Sequence, residues 1–161
     1  MKKIEINLNV YEYNNIKELS KTEQLLIEKA KEATKQAYAP YSHFQVGAAL
    51  LLANGEIITG ANQENSAFPS GLCAERVALF YANAKFPDIP VKAMAITAFH
   101  NGNFLENITA PCGACRQVML ETEIRFNQPI KLILYGTKRI LIIHSVKDLL
   151  PLSFTGENLK K

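Results

Sequence analysis

Apolar residues recur at two spacings along this chain, and the change from one spacing to the other divides it into elements. Ile4, Ile6, Leu8 and Val10 alternate with polar residues, the period-two pattern of a half-buried strand. Residues 1–19 are therefore read as an arm, either a strand-like segment followed by a loop or a terminus laid along the surface. From residue 20 the period lengthens. Leu26, Ala30, Ala33 and Ala37 share one helical face, while Glu28, Lys31, Glu32 and Lys35 occupy the rest. Ser20 and Glu23 have the spacing of a capping box that opens this helix. Pro40 disfavours helical geometry at Ala39 and sets the expected end.

Residues 46–52 form an apolar run of the kind a buried strand shows, and Asn54-Gly55 is a hairpin-turn pair, so residues 56–60 are expected to return antiparallel. A loop rich in Asn, Ser, Pro and Gly spans residues 62–71. Residues 73–85 read as a helix with an apolar face of Val77, Phe80, Tyr81 and Ala84, followed by a strand at 91–99. Pro111 is expected at the first position of another helix, where its missing N–H costs nothing, and that helix runs to about Glu123. Strands at 130–135 and 139–144 flank a short turn, and Ser145 caps a short helix that ends before Pro151. This order predicts one α/β domain over residues 1–161, with helices packed on a mixed five-stranded sheet.

Composition narrows the function classes. A chain of 161 residues, 48% apolar and 20% charged, can bury a core and has no mark of disorder or of a fibre. The net charge of +3 is spread without a Lys/Arg block, so no nucleic-acid partner is expected. Glu5, Asn7 and Asn9 interrupt any apolar run after Met1-Lys2-Lys3, which argues against a secretory signal, and no stretch has the length of a membrane span. The expected location is the cytoplasm, with no membrane partner.

In that reducing compartment an odd number of cysteines does not make a disulfide framework; the three thiols are inert, reactive or metal-bound. Cys112 and Cys115 lie three apart at the start of one expected helix, so one ion can reach both sulfurs. Cys73 opens another. Helix N-termini carry partial positive charge and favour the thiolates that zinc requires. Arg76, three residues after Cys73 on the same face, can offset the remaining negative charge. Three cysteines leave a tetrahedral ion one position short, the mark of a catalytic rather than a structural zinc site. A closed structural site would need His43, His100, His144 or a carboxylate as fourth ligand, and none of these histidines has regular spacing to a cysteine. A structural knuckle and plain core packing remain open for the cysteines taken singly.

Cys73-Ala74-Glu75 and Pro111-Cys112-Gly113-Ala114-Cys115, in that order, resemble the two zinc elements of the cytidine deaminase family, in the small homotetrameric branch that uses three cysteines. The resemblance spans residues 38–155. Tyr38-Ala39-Pro40-Tyr41-Ser42-His43-Phe44-Gln45-Val46-Gly47-Ala48-Ala49 is similar to the family's first loop and strand, and Gly60-Ala61-Asn62-Gln63-Glu64-Asn65 to its ribose-binding segment. Leu149-Leu150-Pro151-Leu152-Ser153-Phe154 is similar to its C-terminal segment.

The resemblance implies a three-layer fold with helices on both sheet faces. It implies one Zn2+ per chain, held by Cys73, Cys112 and Cys115, and hydrolytic deamination of cytidine and deoxycytidine to uridine and deoxyuridine with release of ammonia, in pyrimidine salvage. Glu75 would move protons from the activated water to ring nitrogen N3 and on to the leaving ammonia. Asn62 and Glu64 would hold the ribose 3′-hydroxyl, Phe44 would pack on the nucleoside, and the Ala74 backbone would bind the base carbonyl. Phe154 would reach the base of a neighbouring subunit in a homotetramer with shared sites, and Arg76 and Gln117 would hydrogen-bond the zinc thiolates. Without the resemblance, Asn62 is a turn residue, Glu64 a surface acid, Phe44 a core residue and Glu75 a helix-start acid. The chain departs from the family at Phe68, where a tyrosine is common and its hydroxyl contacts are lost. The arm has no family role beyond packing or assembly. Two other functions stay open: deamination of a related aminonucleoside or of a base in RNA, and a non-catalytic structural zinc domain.

Overall fold

A computed structural model gives the architecture of residues 1–159; residues 160 and 161 of the expected domain lie outside the described residues. In chain order the elements are β1 (Tyr11–Tyr13), α1 (Lys21–Thr34), β2 (Gln45–Leu52), β3 (Ile57–Ala61), α2 (Ala74–Lys85), β4 (Val91–His100), β5 (Asn103–Phe104), α3 (Gly113–Phe126), β6 (Lys131–Tyr135) and β7 (Ile140–Ile143). Single 3-10 turns lie at Ile16–Glu18, Phe68–Ser70, Val146–Leu149 and Gly156–Leu159.

The sheet order is β1-β7-β6-β4-β2-β3, with β5 paired to β4. Only β4 and β6 run parallel among the described strands, and α3 lies in the connection between them. The other pairs are antiparallel, including the β2–β3 hairpin closed at Gly55, whose φ of 90° suits glycine. The sheet is mixed, as expected, but holds seven described strands and not five. The two additional strands are three and two residues long, too short to display a hydrophobic period.

Alternating side chains of the central strands feed two cores. Ala49, Ala95, Ile133 and Ile142 face α1 with Leu26, Ile27 and Ala30. Ala48, Leu50, Met94, Ile96, Leu132 and Leu134 face α2 and α3 with Ala78, Leu79, Cys115 and Met119. Burial on both faces explains why β2 and β4 read as apolar runs rather than alternations. The three layers with helices on both faces match the expectation.

Three local expectations are corrected, and for the arm the structure favours a surface terminus over a strand before Tyr11. The alternating arm residues Ile4, Ile6, Leu8 and Val10 are exposed, and pairing begins only at Tyr11 opposite Ile142. Strand β7 stops at Ile143, and Ser145 then caps a 3-10 turn, so β7 offers residues 1–10 no ladder to continue. Helix α1 opens with the expected Ser20–Glu23 capping box but ends at Thr34, before Ala39. The Tyr38 N–H donates to the Asn62 carbonyl and the Tyr38 carbonyl accepts from the Glu64 N–H, so pairing with the distant loop wins over another helical turn.

Helix α2 buries Ala74, Ala78, Leu79 and Ala82, whereas the expected face leaves Phe80 and Tyr81 at 47% and 52% exposure. Close approach selects the small residues. A Cβ at Gly60 of β3 would lie 2.6 Å from both the Ala74 carbonyl and the Ala78 amide nitrogen, so glycine and alanine let helix and strand touch. Pro111 precedes the cap of α3 instead of occupying its first turn, because Cys112 takes the extended cap conformation and the helix begins at Gly113.

Candidate metal centre and its cavity

Cys73 is the N-cap of α2 and Cys112 the N-cap of α3, both extended and neither with its side chain capping a backbone N–H of its own helix. The sulfurs therefore stand free over the positive ends of two helices. Cys115 is the third residue of α3 and Arg76 the third of α2. Side chains at the cap and third positions converge, as they do in a capping box. The same relation brings Cys112 Sγ within 3.5 Å of Cys115 Sγ and Arg76 Nη2 within 3.8 Å of Cys73 Sγ. Cys73 Sγ and Cys112 Sγ are 3.8 Å apart, and all three sulfurs lie within 4.8 Å of one another.

Tetrahedral zinc–thiolate bonds place sulfurs roughly 3.8 Å apart, so this donor set fits Zn2+ with little movement. Among the described residues no histidine or carboxylate joins the cluster as a fourth ligand. His100 turns its Nδ1 to the His43 carbonyl and His144 packs edge-on against Tyr11. One coordination position is left for a non-protein ligand.

Electrostatics match that use. Hydrogen bonding from Cys115, opposed by burial and aided by Arg76, draws the Cys73 thiol down to about 5. The same partnership with Cys73, together with burial, holds the Cys115 thiol above its ordinary range in the metal-free chain. One thiolate thus forms readily, and a divalent cation would stabilise the others. Burial pushes the Glu75 carboxyl above its ordinary range, and the charge at Cys73 adds to the effect. Glu75 is the second residue of α2 and only 4% exposed. Burial that raises a carboxyl in this way makes it hold a proton more readily than an exposed one, a property suited to proton transfer.

A cavity of about 600 Å³ opens onto the cysteines. Its wall includes Cys73, Cys112, Glu75, Arg76, Asn62 and Glu64 of the expected site residues. Cys115 and Ala74 are fully buried behind them. Phe44 is not on the wall; its ring packs against His100 with centroids 5.8 Å apart. Phe154 is 66% exposed and does not line the cavity. The Gln117 amide donates to the Phe154 carbonyl at 3.0 Å rather than to a thiolate.

Several residues without an expected role build the surroundings. Tyr41, Ser42, Thr109 and Ala110 line the cavity, and the Tyr41 and Phe68 rings meet edge to face at its wall. The buried Glu123 carboxylate accepts from the N–H groups of Ile130, Val146 and Lys147 and from the Ser145 hydroxyl. Arg116 donates to the carbonyls of Pro111 and Leu149. These bonds tie the C-terminal segment to α3. Nothing in the spacing of Glu123 or Arg116 marks them, since apart from the Ser145 hydroxyl the partners named here are backbone groups.

The sequence profile of the cytidine and deoxycytidylate deaminase zinc-binding region matches residues 20–127. The cytidine deaminase of Halalkalibacterium halodurans is 39% identical over 138 residues, 84% of this chain and 96% of that protein. A cytidine deaminase of Mycobacterium tuberculosis is 35% identical over 137 residues, 82% of this chain and 89% of that protein. Among solved structures, the cytidine deaminase from Burkholderia pseudomallei superposes with a TM-score of 0.70 at 39% identity, covering 84% of this chain and 100% of its own. The paired cysteine caps and the glutamate behind them are thus set in a frame shared along nearly the whole length of these enzymes, and the chain belongs to the cytidine and deoxycytidylate deaminase family.

Proposed function

We propose that this protein is a zinc-dependent cytidine deaminase that converts cytidine and deoxycytidine, with water, to uridine or deoxyuridine and ammonia. The observation that carries the reading is the three-thiolate cluster with an open position, facing a cavity whose wall holds a buried, raised-pKa glutamate. Zn2+ held by Cys73, Cys112 and Cys115 would supply Lewis-acid activation of water at neutral pH. Glu75 takes a proton from the attacking water and delivers it to N3 of the base as the water oxygen bonds to C4, then takes the proton left on that oxygen and delivers it to the exocyclic amine as the bond from C4 to that nitrogen breaks and ammonia leaves. One carboxylate serves because the two transfers are sequential. Arg76 stabilises the thiolate at Cys73. Asn62 and Glu64 hold the ribose 3′-hydroxyl, and the Ala74 backbone binds the base carbonyl.

Charge on the cavity wall favours a nucleoside over a nucleotide. Among the described residues the wall carries a single cation, Arg76, already bonded to Cys73, beside the acids Glu64 and Glu75. A 5′-phosphate would bring further negative charge without a counterion. The same feature disfavours RNA. The open coordination position disfavours a structural zinc domain.

The reading extends to assembly. Phe154 lies outside its own cavity with its ring exposed, and Phe80 and Tyr81 point outward from α2. A homotetramer in which Phe154 completes a neighbour's site uses all three, with Gln117 holding the segment that carries Phe154 and Phe44 packing at the sugar end. We place the whole chain, as one catalytic domain, in cytoplasmic pyrimidine salvage. The test is a panel of cytidine, deoxycytidine, deoxycytidylate and adenosine followed by ultraviolet absorbance. Turnover of both free cytosine nucleosides and not of deoxycytidylate supports the reading. No change on cytidine rejects it.

A further inference from the structure

We propose that Ser42 is a positioning residue that locks the carboxylate of Glu64, and with it the loop leading to Phe44, for the sugar end of the substrate. The proposal rests on the reading of Glu64 as a sugar contact.

The loop before β2 is hung on side chains rather than on a strand ladder. Ser42 Oγ donates to Glu64 Oε1 and accepts from the Phe44 N–H at 3.0 Å, which uses the hydroxyl's one proton and one of its lone pairs. Glu64 Oε2 accepts from the N–H groups of Tyr41 at 2.9 Å and Ser42 at 3.3 Å. A carboxylate offers about four acceptor sites. Three are therefore occupied, and the remaining one, on Oε1, belongs to a group that lines the cavity.

The rest of the loop shows why a lock is needed. His43 has a φ of 55°, a left-handed conformation that residues other than glycine seldom adopt. Its carbonyl accepts from His100 Nδ1 at 3.0 Å. Asn62 donates to the Phe44 carbonyl at 2.9 Å and accepts from the Val46 N–H at 2.8 Å. Ser42 is the link between this strained stretch and Glu64. With the hydroxyl gone, Oε1 loses its donor, the carboxylate is held through Oε2 alone, and the Phe44 amide loses its acceptor. The Ser42 hydroxyl is also the leading influence that holds Glu64 below the usual carboxylate range, with the Tyr41 amide next; His43 on the same loop contributes charge, and Glu75 and Arg76 of α2 share the cavity wall.

Steady-state kinetics on the zinc-loaded full chain tests this with Ser42→Ala, Glu64→Gln and the double variant. Loss of a hydrogen bond to a charged group predicts a KM for cytidine about tenfold higher in Ser42→Ala. An effect on binding alone leaves kcat within about twofold, with zinc content unchanged. The rise of KM on acidification, set by protonation of Glu64, starts at higher pH in Ser42→Ala than in the unmodified chain. In the Glu64→Gln background, Ser42→Ala adds less than about twofold, because the two act as one unit. A Ser42→Ala KM equal to that of the unmodified chain, while Glu64→Gln raises it, overturns the proposal. Fully multiplicative penalties in the double variant overturn it too. An unchanged KM in Glu64→Gln instead overturns the reading of Glu64 on which the proposal stands.

Discussion

Glu75 and Arg76 occupy adjacent positions at the start of α2 and differ in their surroundings. Glu75 is buried with its carboxyl raised, which supports the proton-transfer role proposed for it, and glutamine at that position keeps the shape but cannot carry a proton. Arg76 reaches the Cys73 sulfur and the Gly71 carbonyl, which supports the proposed role of holding a thiolate. Arg76→Ala is expected to weaken zinc binding by roughly 10- to 100-fold with the fold retained, read by competition with a chelator and by circular dichroism. The cysteine cluster was legible in the sequence because metal ligation shows in residue type and short spacing, whereas the role proposed for Glu75 came from the family resemblance. Ser42 was not, because its partner Glu64 is 22 positions away and serine is common in loops. Gln117 was assigned to the thiolates by resemblance, yet its amide is on the Phe154 carbonyl, a bond that no local pattern announces.

At the scale of elements, helix starts do most of the positioning, and caps were the signals most faithfully written in the sequence. Ser20 and Glu23 form the box that their spacing announces, with Glu23 also paired to Lys131 at 3.0 Å. Ser20→Ala should cost about 1 kcal/mol of stability at neutral pH, measured by thermal or urea unfolding. Burial works against the ionised Glu23, but bonds from Ser20 and Lys131 outweigh it and hold its carboxyl below the ordinary value. The resulting stability is present above the unfolded-state pKa and is lost as pH falls through the lowered folded value. In Ser20→Ala the folded value lies closer to the unfolded one, so less stability is lost on acidification and the loss is complete at a higher pH.

Helix ends and faces were less legible. Thr34 ends α1 because Tyr38 pairs with residues near 62–64, a tertiary contact that overrides the local signal at Pro40. The buried face of α2 was misjudged because side-chain size, not hydrophobicity, decides which face can sit 2.6 Å from a glycine position. Gly60→Ala should therefore push α2 off β3, weaken zinc binding and lower the melting temperature together, as followed by differential scanning calorimetry with zinc analysis.

For the whole molecule, the layer order and mixed sheet followed from the alternation of helical and strand periods, while the two short strands and the unpaired arm depend on ladder partners that a period does not encode. The metal would join the starts of two helices that also meet through packing and through the Asn83 amide, which donates to the Thr122 hydroxyl at 3.5 Å. Zinc at a thousandfold above its dissociation constant adds about 4 kcal/mol to stability. For a chain of this size, chelation should lower the melting temperature by roughly 10 °C, restored by adding zinc. The central claim is that one zinc ion on three thiolates and one buried carboxylate deaminate cytidine. Its most direct test is ammonia release from cytidine by the unmodified chain and by Glu75→Gln, with zinc quantified in the same samples. The expected result is one zinc per chain in both, with turnover in Glu75→Gln lower by roughly a thousandfold or more. Undiminished ammonia release from zinc-loaded Glu75→Gln, or none from the zinc-loaded unmodified chain, would contradict it.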